Sequence, residues 1–72
     1  MTEKQLQIGT SEFIRLGDAL KAADIVSTGG QAKMLVQSGQ VYVDGKPCTQ
    51  RGTKLRCGQS FMAMSVLVKI SA

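Results

Sequence analysis

The sequence predicts an α+β domain in which a two-helix hairpin packs on a small, mostly antiparallel sheet. Two stretches between residues 15 and 37 carry apolar residues at helical spacing. The period then changes to two around an Asp-Gly pair, which is typical of a tight β-hairpin. The apolar segment at residues 65–70 has the length of one further strand. Helices followed by strands favour an α+β arrangement.

The chain has 72 residues and 43% hydrophobic content, which predicts a single domain over residues 1–72. Aromatic residues are few, so the core is expected to be mainly aliphatic. A domain of this size needs every element to pack against the others. It leaves no room for a separate catalytic domain.

The first elements are a short strand and a short helix. Leu6 and Ile8 alternate with glutamines, as in a half-buried strand. After residue 15, apolar residues at i, i+3, i+4 and i+7 form one helix face, with Asp18 near the positive end of the helix. These apolar residues are Leu16, Ala19, Leu20 and Ala23.

A second helix is marked at both ends. Thr28 and Gln31 have the spacing of a capping box, and Gly39 stands where a left-handed C-cap is expected. Ala32, Leu35 and Val36 are predicted to share its buried face. Residues 24–27 are short enough to join the two helices as a hairpin.

The strand region begins with Val41 and Val43 on one face and Tyr42 on the other. The sequence Asp44-Gly45 predicts a type I′ turn. The return strand, residues 46–49, contains Pro47, so it must lie at an edge or end early. Two more short strands are expected around residues 57–58. The closing strand would point Val66, Val68 and Ile70 inward. We expect one core to contain Leu20, Leu35, Val36, Val41 and Val43.

The positive charge is unevenly distributed. Residues 1–24 contain three basic and four acidic residues, whereas residues 25–57 contain five basic residues and one acid, Asp44. This asymmetry points to a polyanionic partner, either nucleic acid or an anionic membrane. An ordinary solvated surface is the alternative.

The N-terminal residues are polar and resemble no secretory signal, and no apolar run is long enough to cross a bilayer. We therefore expect a cytoplasmic protein. Cys48 and Cys57 are expected to be reduced, partly buried thiols. With no histidine, no metal site or other cofactor is predicted.

The segment from Arg15 to Pro47, followed by "LRCGQSF", resembles the RNA-binding domain named after small-subunit ribosomal protein four, also called the alpha-L RNA-binding motif. That family reads Arg-Leu-Asp at its first helix, Ser-Arg-x-x-Ala-Arg at its second, Gly-x-Val-x-Val-Asn-Gly-Lys through the hairpin and Gly-Asp-x-Ile in a closing turn. The matching segments here begin at Arg15, Thr28, Gly39 and Gly58. The resemblance covers residues 13–61 and implies RNA binding.

The chain departs from this pattern at three positions. Gly29 replaces the arginine that starts the family's second helix, Gly30 follows it, and Gln59 replaces the acid of the closing turn. In this respect the sequence resembles the small standalone bacterial subgroup called YbcJ or YaaA, which is little more than the domain itself.

The two adjacent glycines suggest a specific hypothesis. Amides at the start of a helix have no intrahelical acceptor and lie at the positive end of its dipole. Gly29 and Gly30 would let a phosphate approach these amides, with Lys33 adding charge one turn later. Alternatively, the glycines allow two helices to cross closely or form a tight entry turn.

The remaining candidates have structural alternatives as well. Arg15 and Lys21 either reach phosphates or pair with acidic neighbours, and Lys46 either contacts phosphate or points into solvent. Tyr42 either stacks on a base or, as we favour, covers Pro47. The predicted RNA-binding residues are Arg15, Lys21, Gly29, Gly30, Gln31, Lys33, Lys46, Arg51, Lys54 and Arg56. The last three are the best evidence for a groove that follows an RNA backbone.

Three classes of function can be weighed. We expect a monomeric protein that binds structured RNA (ribosomal RNA, an assembly intermediate or transfer RNA) and acts in ribosome assembly or translation. An enzyme is disfavoured because no nucleophile stands beside a base. The alternative is a protein-interaction module that pairs through the C-terminal strand as an open sheet edge.

Overall fold

The computed structural model describes residues 2–72. Two helices and seven strands follow the chain in this order: β1 (Thr2–Gln7), β2 (Ile14–Arg15), α1 (Leu16–Ala22), α2 (Gly29–Gln37), β3 (Tyr42–Val43), β4 (Lys46–Pro47), β5 (Lys54–Leu55), β6 (Ser60–Ala63) and β7 (Val66–Ser71). The α+β class expected from the sequence is confirmed.

Five strands form one sheet in the order β1-β7-β6-β3-β4, while β2 and β5 form a separate antiparallel pair. All neighbours are antiparallel except β1 and β7, which run parallel. Because β7 lies between β1 and β6, the C-terminal strand is not an open edge. The expectation that it could pair with a partner protein through such an edge was wrong, and the edges of this sheet are β1 and β4.

The core lies between the helices and the inner face of the sheet. Leu20, Val36 and Val41 are fully buried, as expected. Leu35 and Val43 are only partly buried and pack against the core from its margin. The closing strand also follows its prediction in burying Val68 and Ile70, whereas Val66 is half-buried. The core consists of Leu16, Ala19, Leu20, Ala23, Ala32, Val36, Val41, Leu55, Phe61, Ala63, Val68 and Ile70.

Helix α2 begins with a variant of the predicted capping box. Thr28 Oγ1 accepts a hydrogen bond of 3.2 Å from the Gln31 amide, as expected. Gln31 Oε1, however, accepts 2.8 Å from the amide of Ser27, one residue before the N-cap. The amides of Ser27 and Gln31 are therefore both hydrogen-bonded at the start of α2, and the Gln31 side chain is occupied by this contact.

The hairpin is built as the Asp-Gly pair predicts. Asp44 and Gly45 have φ values of 51° and 85°, both in the region that a type I′ turn requires. The return strand ends early, at Pro47, and is an edge strand. Tyr42 lies directly opposite Pro47, in agreement with the structural role favoured for Tyr42.

Asp44 connects this turn to the start of β6. Its carboxylate accepts hydrogen bonds from Gln59 Nε2 at 3.0 Å and from the Ser60 amide at 3.1 Å. These hydrogen bonds lower the pKa of Asp44 below its ordinary value, and the bond from Gln59 has the larger effect. Gln59 Oε1 in turn accepts 2.7 Å from the Arg56 amide. An amide side chain can accept from one partner and donate to the other at neutral pH, which an ionised carboxylate cannot do.

We therefore expect Gln59→Glu to destabilise the protein by about 1 kcal/mol at pH 7, because two carboxylates would face each other. In the wild type, the lowered pKa of Asp44 stabilises the folded protein at pH values above the pKa of Asp44 in the unfolded chain, near 4. This stabilisation is lost as the pH falls through the lower pKa of Asp44 in the folded protein. The variant should show the reverse trend, gaining stability towards pH 4 as the shared site takes up a proton. Urea unfolding at several pH values measures both trends. Parallel pH profiles would contradict this account.

Within residues 2–72, no helix is long and apolar enough to cross a membrane. Both cysteines are free thiols that form no disulfide. Cys48 is half-buried, and its Sγ lies 3.2 Å from Thr53 Oγ1. Cys57 is exposed in the turn before Gly58, so the expectation that it would be partly buried was wrong.

Candidate nucleic-acid interface

Two distant parts of the chain meet at the start of α1. Ile14 pairs with Leu55 and Arg15 with Lys54 across β2 and β5. The backbone contact then continues into the helix, because the amides of residues 16 and 17 donate to the carbonyls of residues 53 and 51 at 2.8 and 2.9 Å. This ladder holds the loop before β5 against the first turn of α1.

A shallow cavity of about 270 Å³ lies at this junction. It is bounded by one side of α1, the first turn of α2 and the loop before β5. Its lining residues are Arg15, Gly17, Asp18, Lys21, Gly29, Ala32, Arg51 and Gly52. Four of the predicted site residues, Arg15, Lys21, Gly29 and Arg51, therefore meet around one concave surface.

The charges of the cavity favour an anion. Lys21 Nζ lies 3.8 Å from Asp18 on the same helix, and both side chains are largely exposed, so this pair is weak. The pairing expected as an alternative for Lys21 is thus present. Arg15 Nη1 is 3.4 Å from the carbonyl of Gly52. Three cations and one carboxylate leave a formal excess of two positive charges at the cavity.

The start of α2 adds backbone donors. Gly29 lines the cavity, whereas Gly30 does not. The Gln31 amide is taken by Thr28, but within residues 2–72 the amides of Gly29 and Gly30 have no acceptor. Such free amides at the positive end of a helix attract anions.

Packing does not explain the two glycines. A Cβ atom built on Gly29 would meet nothing within 4 Å, and one on Gly30 would meet only Thr28 Oγ1 at 3.9 Å. Neither residue has a positive φ. The alternative of a close helix crossing was therefore wrong, and an entry turn at these residues does not use a backbone conformation that favours glycine.

A second basic area lies on the exposed face of the β2–β5 pair. Ile14 and Leu55 point towards the core, so their neighbours Arg15, Lys54 and Arg56 point away from it. These three cations surround Phe13, with distances to the ring centroid of 5.6 Å for Arg15 Cζ, 4.8 Å for Lys54 Nζ and 5.9 Å for Arg56 Cζ. Arg15 belongs to both areas and connects them.

Two predicted contacts lie elsewhere. Lys33 is exposed on α2 and Lys46 is exposed at the start of the edge strand β4, and neither lines the cavity. Gln31 caps α2 with its side chain. The structure thus brings together six of the predicted residues, Arg15, Lys21, Gly29, Arg51, Lys54 and Arg56.

Sequence reasoning missed several residues of this surface. Gly17 and Gly52 line the cavity, and only the pairing of residues distant in sequence brings them there. Phe13 was not predicted to be part of the basic surface. A signal existed, because residues two apart in an extended segment share a face, and Phe13 stands two before Arg15.

Comparisons with known proteins identify the family of this chain. The S4 domain family matches residues 6–71. The probable ribosome maturation protein RlbA of Bacillus subtilis (strain 168) is 42% identical over 48 residues, covering 67% of this chain and 68% of that protein. The putative RNA-binding protein YbcJ of Escherichia coli (strain K12) is 38% identical over 63 residues, covering 85% and 90%. The chain therefore belongs to the S4-domain family of RNA-binding proteins.

Proposed function

We propose that this protein binds structured RNA through its phosphates, using the cavity between α1 and α2 and the adjoining face of β2 and β5. The observation that carries the proposal is the meeting of Arg15, Lys21 and Arg51 with the free amide of Gly29 around one concave surface. Phosphates bind to such combinations of cations and helix-start amides. The protein acts by binding, without a catalytic step.

The cellular role we propose is in ribosome assembly or translation, with ribosomal RNA, an assembly intermediate or transfer RNA as the ligand. Two relatives support it, one named as a probable ribosome maturation protein and the other as a putative RNA-binding protein. Such a role places the protein in the cytoplasm. Crosslinking in cells, followed by sequencing of the attached RNA, identifies the ligand.

A salt titration tests phosphate binding directly. If three to five side chains engage phosphates, log K should fall linearly with log salt with a slope of roughly 2 to 4. Arg51→Ala and Lys54→Ala should each flatten the slope by about one and weaken binding to an RNA stem-loop and to a scrambled strand alike. A wild-type slope near zero, or a slope that neither substitution changes, would contradict phosphate binding.

The glycines permit a test that separates folding from binding. Because added Cβ atoms meet no close neighbour, Gly29→Ala/Gly30→Ala should raise the free energy of unfolding by about 0.4–1 kcal/mol for each glycine. The same methyl groups cover the free amides, so RNA affinity should fall about three- to tenfold. Urea unfolding and fluorescence anisotropy measure the two effects.

The matched control is Gln37→Ala, at the opposite end of α2. It should leave RNA affinity unchanged. A more stable double variant that binds RNA as tightly as the wild type would rule out the Gly29 and Gly30 amides as phosphate ligands.

A further inference from the structure

Three cations converge on one aromatic ring at the exposed face of β2 and β5. Arg15 lies directly opposite Lys54 in the strand pair, and the same register continued by one residue places Phe13 opposite Arg56. Like charges directly opposite each other destabilise a strand pair. This arrangement needs a compensating interaction.

No acidic side chain supplies that compensation. Within residues 2–72, the ion pairs join Lys21 to Asp18 and Lys69 to Glu3, so none involves the cations around Phe13. All three cationic groups lie within 6 Å of the ring centroid, the range of a cation–π interaction.

Phe13 has no evident role in the core. It is half-buried, but among the residues from 2 to 72 it belongs neither to the buried core nor to the apolar side chains that pack against the core. Its adjacent residue Ile14 does pack there. The ring therefore faces the cations.

We infer that Phe13 is a positioning residue for RNA binding: its ring holds Arg15, Lys54 and Arg56 together as one phosphate-binding surface. A carboxylate in this place would neutralise the cations, whereas the ring restrains them through its quadrupole and leaves their full charge for a polyanion. Because Arg15 also lines the cavity, the ring makes the two basic areas continuous. This inference rests on the proposed function.

The test compares Phe13→Leu, which keeps apolar volume but removes the π system, with Phe13→Tyr, which keeps the ring. Phe13→Leu should bind the RNA stem-loop about three- to tenfold more weakly than the wild type. Phe13→Tyr should bind it as tightly as the wild type. Thermal melts report folding for each variant. If Phe13→Leu lowers the melting temperature, Phe13→Met replaces it in the comparison.

A double-mutant cycle separates positioning from a structural effect. If the ring acts through the cations, replacing Phe13 by Leu in a Lys54→Ala/Arg56→Ala background should reduce affinity by a smaller factor than in the wild type, because only Arg15 remains against the ring. The inference is overturned if Phe13→Leu binds RNA as tightly as the wild type or if Phe13→Tyr binds RNA as weakly as Phe13→Leu. It is also overturned if Phe13→Leu reduces affinity by the same factor in the Lys54→Ala/Arg56→Ala background as in the wild type. A wild-type protein without salt-dependent RNA binding would instead overturn the proposed function.

Discussion

Phe61→Ala should remove about 3–5 kcal/mol from the free energy of unfolding. Phe61 is 1% exposed and is the largest of the fully buried side chains. It lies on β6, between Val43 on β3 and Val68 on β7, and all three point to the helices. A protein of this size has only several kcal/mol of stability in total, so much of the population should be unfolded at 37 °C.

Met62→Ala is the matched control, since Met62 is the next residue on the same strand but faces the opposite side and is half-exposed. It should cost about 1 kcal/mol or less. In thermal melts, Phe61→Ala should lower Tm by more than about 12 °C. Equal shifts for the two variants would show that the inner face of β6 is not the centre of the core.

The order and type of the main elements could be predicted because their signals are local. The apolar face of α1, the Thr28 cap and the Asp44-Gly45 turn each depend on residues within one or two turns of the chain. Leu35 shows the limit of such reasoning. Ala32 and Val36, four residues apart, form the buried line of α2, and the partly buried Leu35 lies beside that line. The helical spacing of apolar residues alone does not distinguish a fully buried position from a neighbouring, partly buried one.

The pairings between distant segments could not be predicted. Neither the parallel contact of β1 with β7 nor the two-residue pair of β2 with β5 has a turn signal, because their partners are separated by more than 35 residues. The second pairing creates the candidate site. The basic residues were therefore recognisable in the sequence, but their meeting around one cavity and around Phe13 depends on tertiary contacts.

The largest expected effect on binding is that of Arg15→Glu/Arg51→Glu. These residues stand in the same cavity, and Arg15 also belongs to the cluster around Phe13. Both side chains are exposed, so the free energy of unfolding should change little. Two carboxylates facing RNA phosphates would replace attraction by repulsion, and like-charge contacts at an interface cost several kcal/mol. We expect RNA affinity to fall at least about 100-fold at moderate salt.

Lys69→Glu distinguishes a localised site from a general effect of net charge. Lys69 lies on β7 between two buried residues, Val68 and Ile70, so it points to the face of the sheet away from the helices. If only net charge governed binding, this one reversal would change log K by half as much as the double reversal, about tenfold or more. A site centred on the cavity predicts less than about threefold. Affinities of both variants for the RNA stem-loop, with thermal melts to check folding, decide between these outcomes; a tenfold loss for Lys69→Glu would mean that RNA is attracted to the whole surface and that the cavity has no special part in binding.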